Sequence, residues 1–169
     1  MRNVKLLIVS IALPLASSAV PANGDEKRGA KTTPPAEIVT VRPEREVMSR
    51  QRLPYFVGIS ASTAGTTGIS MNLVVIPAGG AAEPHSHRGY ETAIYILEGR
   101  VKTLYGPGLK ESVINEEGDF LFIPADMPHQ PVNLSTGEPA RAIVARNDPN
   151  EQENVVPYDT GEAAATELP

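Results

Sequence analysis

The sequence predicts an all-β domain, either a β-sandwich or a small barrel. Between residues 55 and 146, short runs rich in apolar and β-branched residues alternate with segments rich in Gly, Pro, Asn and Asp, a spacing typical of such folds. The 16 Pro and 14 Gly residues argue against a helical bundle, since each Pro in a helix interior costs about 3 kcal/mol. With 169 residues, the chain has the length of one ordinary domain.

The N-terminal residues 1–22 have the pattern of a secretory signal peptide. A basic start is followed by an apolar stretch at 6–16 and then by small residues, as such peptides require. The stretch contains Pro14 and is shorter than the roughly 20 apolar residues of a membrane span. We expect cleavage after Ala19 or Ala22, and a secreted or periplasmic protein that is not membrane-bound after signal removal. The alternative is a buried N-terminal strand or helix.

Two further segments are too polar to pack into a core. Residues 23–36 are rich in Gly, Pro and charge, which predicts a flexible leader. Residues 159–169 predict a disordered acidic tail for the same reason. The folded domain is therefore expected over residues 37–158.

Seven segments of the folded region are predicted strands. They span residues 55–60, 68–77, 91–99, 100–106, 111–115, 119–124 and 140–146. The glycines at 99 and 118 predict hairpin turns between successive strands.

The predicted strand at 91–99 is apolar on both faces. Glu91, Ala93, Tyr95 and Leu97 share one face, whereas Thr92, Ile94 and Ile96 share the other, because successive side chains of a strand alternate. We therefore expect both faces of the sheet to be covered, the outer one by a second chain or by the terminal segments.

Composition excludes several classes of protein. The chain has no Cys, which removes disulfide scaffolds, zinc-thiolate sites, iron–sulfur clusters and thiol nucleophiles. A formal net charge of −5 without a Lys/Arg cluster argues against nucleic acid as a partner. Any metal site must therefore use His, carboxylate and other oxygen ligands.

Three histidines and one glutamate predict such a site. His85 and His87 are separated by one residue, so an extended chain places both imidazoles on one face. Glu91 follows after a short loop, and His129 follows a Pro-bounded turn later in the chain. Neutral imidazole and carboxylate suit a divalent Fe, Mn, Ni, Cu or Zn ion without distinguishing among them. Four protein ligands on an octahedral ion leave two positions for substrate and water or O₂.

These residues fall into two spaced motifs that resemble those of the cupin superfamily. The first contains Gly79, His85, His87, Glu91 and Gly99, and the second contains Gly118, Pro124, His129 and Asn133. The interval from Glu91 to Gly99 is one residue longer than in the family, and Thr92 occupies the alternative position. Asp126 stands where the second motif has Gly, and Asp tolerates the left-handed turn that Gly would supply.

The resemblance implies a cupin double-stranded β-helix, a jelly-roll barrel, with its motif core at residues 53–147. It implies that His85, His87, Glu91 and His129 hold the metal. Small single-domain cupins commonly pair through an N-terminal strand, which together with the doubly apolar strand predicts a homodimer.

The leading functional hypothesis is a metal-dependent enzyme of the oxygenase, isomerase or lyase type that acts on a small molecule. The alternative is a non-catalytic cupin that binds a small ligand or a metal, and a structural partner in a larger assembly is a third possibility. Tyr95 and Glu91 are the catalytic candidates, because Tyr95 shares the face of Glu91 and should point into the same cavity. Glu98 and Asp126 are acid–base candidates by their proximity in sequence alone.

Other side chains have weaker claims. Gln130 and Asn133 are candidates to orient His129, although Asn133 suits a role in satisfying turn backbone. Met71, Phe120 and Phe122 are candidate pocket residues, with core packing as the more common role of such side chains.

Overall fold

The computed structural model describes residues 37–150 and 154–161, and strands dominate this part of the chain. The all-β prediction is confirmed. The strands are β1 Val47–Met48, β2 Pro54–Ile59, β3 Ser70–Ile76, β4 His85–His87, β5 Thr92–Glu98, β6 Arg100–Tyr105, β7 Glu111–Glu116, β8 Phe120–Ile123, β9 His129–Asn133, β10 Ala140–Arg146 and β11 Val155–Pro157.

Helical structure in the described residues is limited to the helix α1 (Ala61–Ala64) and a 3₁₀ turn at Pro107–Leu109. Ser60 caps α1, because its hydroxyl accepts a hydrogen bond from the Thr63 N–H at 3.3 Å. Gly65 ends the helix with φ 66°. No described helix has the length and apolar character needed to cross a membrane.

The strands form two antiparallel sheets. The larger sheet has the order β1-β2-β3-β10-β5-β8, and the smaller sheet has the order β11-β4-β9-β6-β7. Strands β3, β10 and β5 form the centre of the larger sheet, with seven residue pairs between β3 and β10.

The predicted hairpins at Gly99 and Gly118 are corners between the sheets. Gly99 separates β5 of the larger sheet from β6 of the smaller, and Gly118 separates β7 of the smaller from β8 of the larger. The hairpin prediction was wrong because a tight turn between two apolar runs has the same pattern whether the chain doubles back or crosses over. Gly99 has φ 87°, and a Cβ there would lie 2.9 Å from the Ala140 Cβ, so the crossing requires glycine.

The hydrophobic core lies on the inner faces of the sheets. Its buried members are Leu53, Ile76, Ala82, Ile96, Val101, Ala140 and Ala142, with Val74 and Ile94 packed against them. Within β10, Ala140, Ala142 and Val144 alternate with more exposed residues, as a strand with one face in the core requires.

The opposite face of the larger sheet is also apolar. One row of paired residues crosses five strands and comprises Phe56, Leu73, Ile143, Tyr95 and Phe120. Phe120 is 81% exposed and Phe122 is 58% exposed. We call this surface, Phe56–Leu73–Ile143–Tyr95–Phe120 together with Phe122, the outer apolar face. It agrees with the apolar pattern expected on both sides of β5.

Three predicted segments fall wholly or largely outside the described residues. These are the signal peptide at 1–22, the leader at 23–36 and the part of the tail beyond residue 161. They stay predictions.

Candidate metal centre

Three histidine side chains converge on the inner face of the smaller sheet. His85 and His87 lie on β4, and His129 on β9 pairs directly with His85. The candidate ligand atoms of the three rings lie within 4.8 Å of one another, and each residue is 3% exposed. The structure therefore brings together the three imidazoles that the motifs singled out.

Backbone carbonyls fix the orientation of two of these rings. The Nδ1 of His85 lies 2.7 Å from the Glu83 carbonyl oxygen, and the Nδ1 of His129 lies 2.8 Å from that of Met127. Because a carbonyl oxygen only accepts, each Nδ1 must carry the proton and donate it. The Nε2 lone pairs of both rings are thereby left available for a metal ion.

Burial keeps all three imidazoles neutral. It lowers the pKa of His85 to about 3, with the nearby His129 as the second cause. It lowers the pKa of His129 to about 4, and it holds the pKa of His87 well below its usual range, with Arg146 as the second cause. Since neutral imidazole is the metal-binding form, the donor set fits a divalent ion.

Glu91 does not join this cluster. Its residue is exposed, its N–H donates to the Asn147 Oδ1 at 2.9 Å, and it is absent from the group of converging ligand atoms. Thr92 instead is 1% exposed and lines the cavity that contains the histidines. Because neighbouring residues of an extended chain point to opposite faces, only one of the two can face the cavity. The structure therefore brings together three of the four expected ligands, and Thr92 rather than Glu91 faces the cavity.

Tyr95 also lies outside the cavity. Its ring packs on that of Phe120 with a centroid distance of 4.7 Å, as part of the outer apolar face. Tyr95 does share the face of Glu91, as its parity required, but that face is the outer one. Neither catalytic candidate reaches the triad.

The remaining acid–base candidates have structural contacts. The Asp126 side chain accepts from the Gly89 N–H at 3.0 Å, and its own N–H donates to the His87 carbonyl at 3.0 Å. Its φ of 62° agrees with the left-handed turn expected there. Glu98 forms a solvent-exposed ion pair with Arg141 at 3.4 Å.

The side chains beside His129 bind backbone. The Gln130 amide donates to the Ala82 carbonyl at 2.9 Å. The Asn133 amide donates to the carbonyls of Ile76, Pro77 and Glu138. Neither contacts the His129 ring through these bonds, so the Met127 carbonyl orients that ring instead. Met71, Phe120 and Phe122 are exposed and do not line the cavity that contains the triad.

A cavity of about 60 Å³ adjoins the three histidines. Its walls are mainly aliphatic and come from both sheets, with Ile76 and Ile96 on the larger and Val101 on the smaller. Gln51, Thr92, Thr103, Asn115 and Arg146 add polar groups. The site is therefore mostly apolar with a few convergent polar groups, as small-molecule sites are.

Arg146 is the residue that sequence reasoning missed. It is 8% exposed, lines the cavity and acts electrostatically on all three histidines. Burial lowers the pKa of Arg146 to about 10, against the opposing effect of Asp148 and Tyr55, so the guanidinium stays charged at neutral pH. The available signal was its parity with Ala142 and Val144, which places a charge on the core-facing side of β10.

The fold and the site together define a two-sheet β-barrel protein with a buried three-histidine centre. The family model for the cupin domain matches residues 72–146, which contain both motifs. Residues 72–146 therefore form a cupin domain. No curated protein sequence matches it significantly.

Solved structures share this fold. The polyketide cyclase RemF from Streptomyces resistomycificus is 26% identical, with a TM-score of 0.54 over 79% of this chain and 85% of that one. A cupin 2 conserved barrel domain protein from Salinispora arenicola is 18% identical, with a TM-score of 0.55 over 66% of this chain and 91% of that one. The oxalate decarboxylase of Lactobacillus farciminis is 21% identical, with a TM-score of 0.54 over 62% of this chain and 31% of that one.

Proposed function

We propose that this protein is a metal-dependent enzyme that acts on a small molecule, with His85, His87 and His129 as the metal ligands. The observation that carries the proposal is the convergence of three buried, neutral imidazoles on one cavity. A divalent ion bound there would supply Lewis-acid or redox chemistry. Three protein ligands leave more positions open to a substrate than the four expected from the sequence.

The surrounding residues of the chain suit small-molecule chemistry. The aliphatic walls give the cavity an apolar environment, which strengthens electrostatic interactions inside it. Arg146 and Thr92 offer hydrogen-bond donors on the wall formed by the larger sheet. The likeness to a polyketide cyclase at 26% identity supports an enzyme that transforms a small organic molecule. The reaction class that we propose remains oxygenase, isomerase or lyase.

One observation favours a second function, that of a non-catalytic ligand-binding cupin. No carboxylate lies among the described residues that line the cavity with the triad, so these residues offer no acidic side chain as a general base. A carrier or sensor needs none. In that case the cavity walls, and not the ion, would supply most of the ligand affinity.

Turnover and ligand binding in matched variants test the two functions. Protein purified without oxygen is loaded separately with Fe(II), Mn(II), Ni(II) and Zn(II), then assayed for oxygen uptake and for conversion of small organic acids, diols and diketones. An enzyme loses all turnover in His87→Ala and His129→Ala but keeps it in the exposed control Glu91→Gln. Retained ligand affinity in the histidine variants, without turnover in any form, would favour the carrier.

We further propose that the mature protein is exported and forms a homodimer. Export rests on the signal-peptide pattern at residues 1–22. Dimerisation rests on the outer apolar face, since exposed aromatic side chains such as Phe120 and Phe122 are typical of a surface covered by a partner. A second copy of the chain presents the same face, as a two-fold interface requires.

A further inference from the structure

The inner face of the larger sheet is polar at one end. The row nearest the triad pairs Ser70 with Arg146, Arg146 with Thr92, and Thr92 with Ile123. The next rows along the same face are Val144 with Ile94, and Ala142 with Ile96. The cavity therefore has one end with a cation and a hydroxyl, and aliphatic walls beyond it.

The hydroxyl at this end of the cavity belongs to Thr92 and is unsatisfied. Thr92 is 1% exposed, and its Oγ1 has no hydrogen-bond partner among the described residues. Two other buried oxygens at the cavity wall, Gln51 Oε1 and Asn115 Oδ1, are likewise without partners there. Because buried polar groups normally form hydrogen bonds, an unpaired buried hydroxyl beside a cavity points to a ligand that hydrogen-bonds to it.

The charges at this end favour an anion. Imidazole is a metal ligand in its uncharged form, so a divalent ion held by the triad would add two positive charges to a cavity that Arg146 also lines. The carboxylate of Asp148 acts on Arg146 and offsets one of these charges. The remaining positive charge in an apolar cavity is best balanced by a bound anion.

We propose that the cavity binds a small carboxylate whose anionic group lies between the histidine triad and Arg146, an inference that rests on the proposed metal site. Thr92 donates a hydrogen bond to this carboxylate, and the guanidinium of Arg146 pairs with it. The apolar part of the ligand packs on the aliphatic rows beyond. A cavity of about 60 Å³ restricts the ligand to a few heavy atoms, as in formate or acetate.

Matched anionic and neutral probes test the charge requirement. Co(II) serves as the probe ion, because its visible absorption changes when a ligand enters its coordination shell. Acetate and acetamide, which have similar size and shape but differ in charge, are titrated into the Co(II)-loaded full chain. We expect acetate to bind at least tenfold more tightly than acetamide. Equal affinities in a Co(II)-loaded protein would overturn the inference and leave the metal site standing.

Three variants locate the binding group. Arg146→Gln should weaken acetate binding at least tenfold while Co(II) stoichiometry is kept. Arg100→Gln, which removes an exposed arginine paired with Glu116 at 2.8 Å, is the control and should bind acetate normally. Thr92→Val should weaken acetate binding at least threefold. It should also raise the melting temperature, since it replaces a buried hydroxyl that has no hydrogen-bond partner among the described residues by a methyl group of similar size.

The outcomes separate this inference from the proposed function. Unchanged acetate affinity in a Co(II)-loaded Arg146→Gln overturns the inference alone. If that variant does not fold, Thr92→Val decides: retained acetate affinity, or a lowered melting temperature, overturns it. Failure of the wild-type protein to bind Co(II) overturns the proposed function and removes the ion on which the charge balance depends.

Discussion

Acidification should strongly destabilise the metal-free protein, because its three histidines are buried in the neutral form. The folded-state pKa is about 3 for His85 and about 4 for His129, against an ordinary value of 6.5. At a pH between the folded-state pKa values and 6.5, the unfolded chain binds protons that the folded chain does not. The unfolding free energy therefore rises with pH in this interval. The unfolding free energy is therefore at its full value above about pH 6.5 and decreases as the pH falls below that value.

The size of this effect follows from the shifts. For a group with an unfolded pKa near 6.5 and a folded pKa at or below about 4, the loss at about pH 5 is on the order of 2 kcal/mol. His87, whose pKa lies lower than those of the other two, gives a similar loss. The three together approach 6 kcal/mol or so, which is comparable to the whole stability of many domains.

Urea denaturation of chelator-treated protein measures this loss directly. The unfolding free energy should fall with a slope near 4 kcal/mol per pH unit around pH 5, which corresponds to uptake of about three protons. His129→Gln should reduce the slope by about one proton. A stability that is constant between about pH 7 and about pH 5, or an unchanged slope in His129→Gln, would refute the burial of three neutral imidazoles.

Three further predictions concern regions away from the triad. Phe120→Asp should convert the homodimer into a monomer, as measured by size-exclusion chromatography with light scattering. The control Ile114→Asp, at an exposed site on the smaller sheet, should leave the dimer intact. A monomeric wild type would contradict the proposed interface. Gly99→Ala should lower the unfolding free energy by about 1–3 kcal/mol in chemical denaturation, because its Cβ would meet Ala140 at 2.9 Å; an unchanged midpoint would argue against the corner. N-terminal sequencing of exported protein should find a start at residues 20–23, and retention of the initial methionine would contradict the signal peptide.

The strands and the histidines were predictable because their signals are local. Runs of apolar and β-branched residues mark β5 and β10 whichever sheet they join. The spacing of His85 and His87 places both rings on one side of any extended segment. The distance to His129 is set by the fold, but the second motif marks its position.

The choice between Glu91 and Thr92 was not predictable in the same way. Both faces of β5 are apolar, so the sequence does not reveal which face lies inside. That depends on the covering of the inner face by the smaller sheet, which is a tertiary property. The same ambiguity led to the prediction that Tyr95 points into the cavity.

The sequence does contain a signal for Arg146, namely a charged residue at a core-facing position of β10. It ends a strand whose core-facing positions are otherwise Ala140, Ala142 and Val144. A charge at such a position is costly unless it is compensated, and it therefore points to function.

Metal content tests the central claim, that three histidines without Glu91 hold a divalent ion. Protein purified without oxygen is analysed by elemental mass spectrometry, in parallel with His87→Ala, His129→Ala and Glu91→Gln. We expect about one ion per chain in the wild type and in Glu91→Gln, and loss of the ion in both histidine variants. Absence of metal from the wild type under every loading condition would show that the triad holds no ion, and its loss in Glu91→Gln would show that Glu91 is needed to hold it.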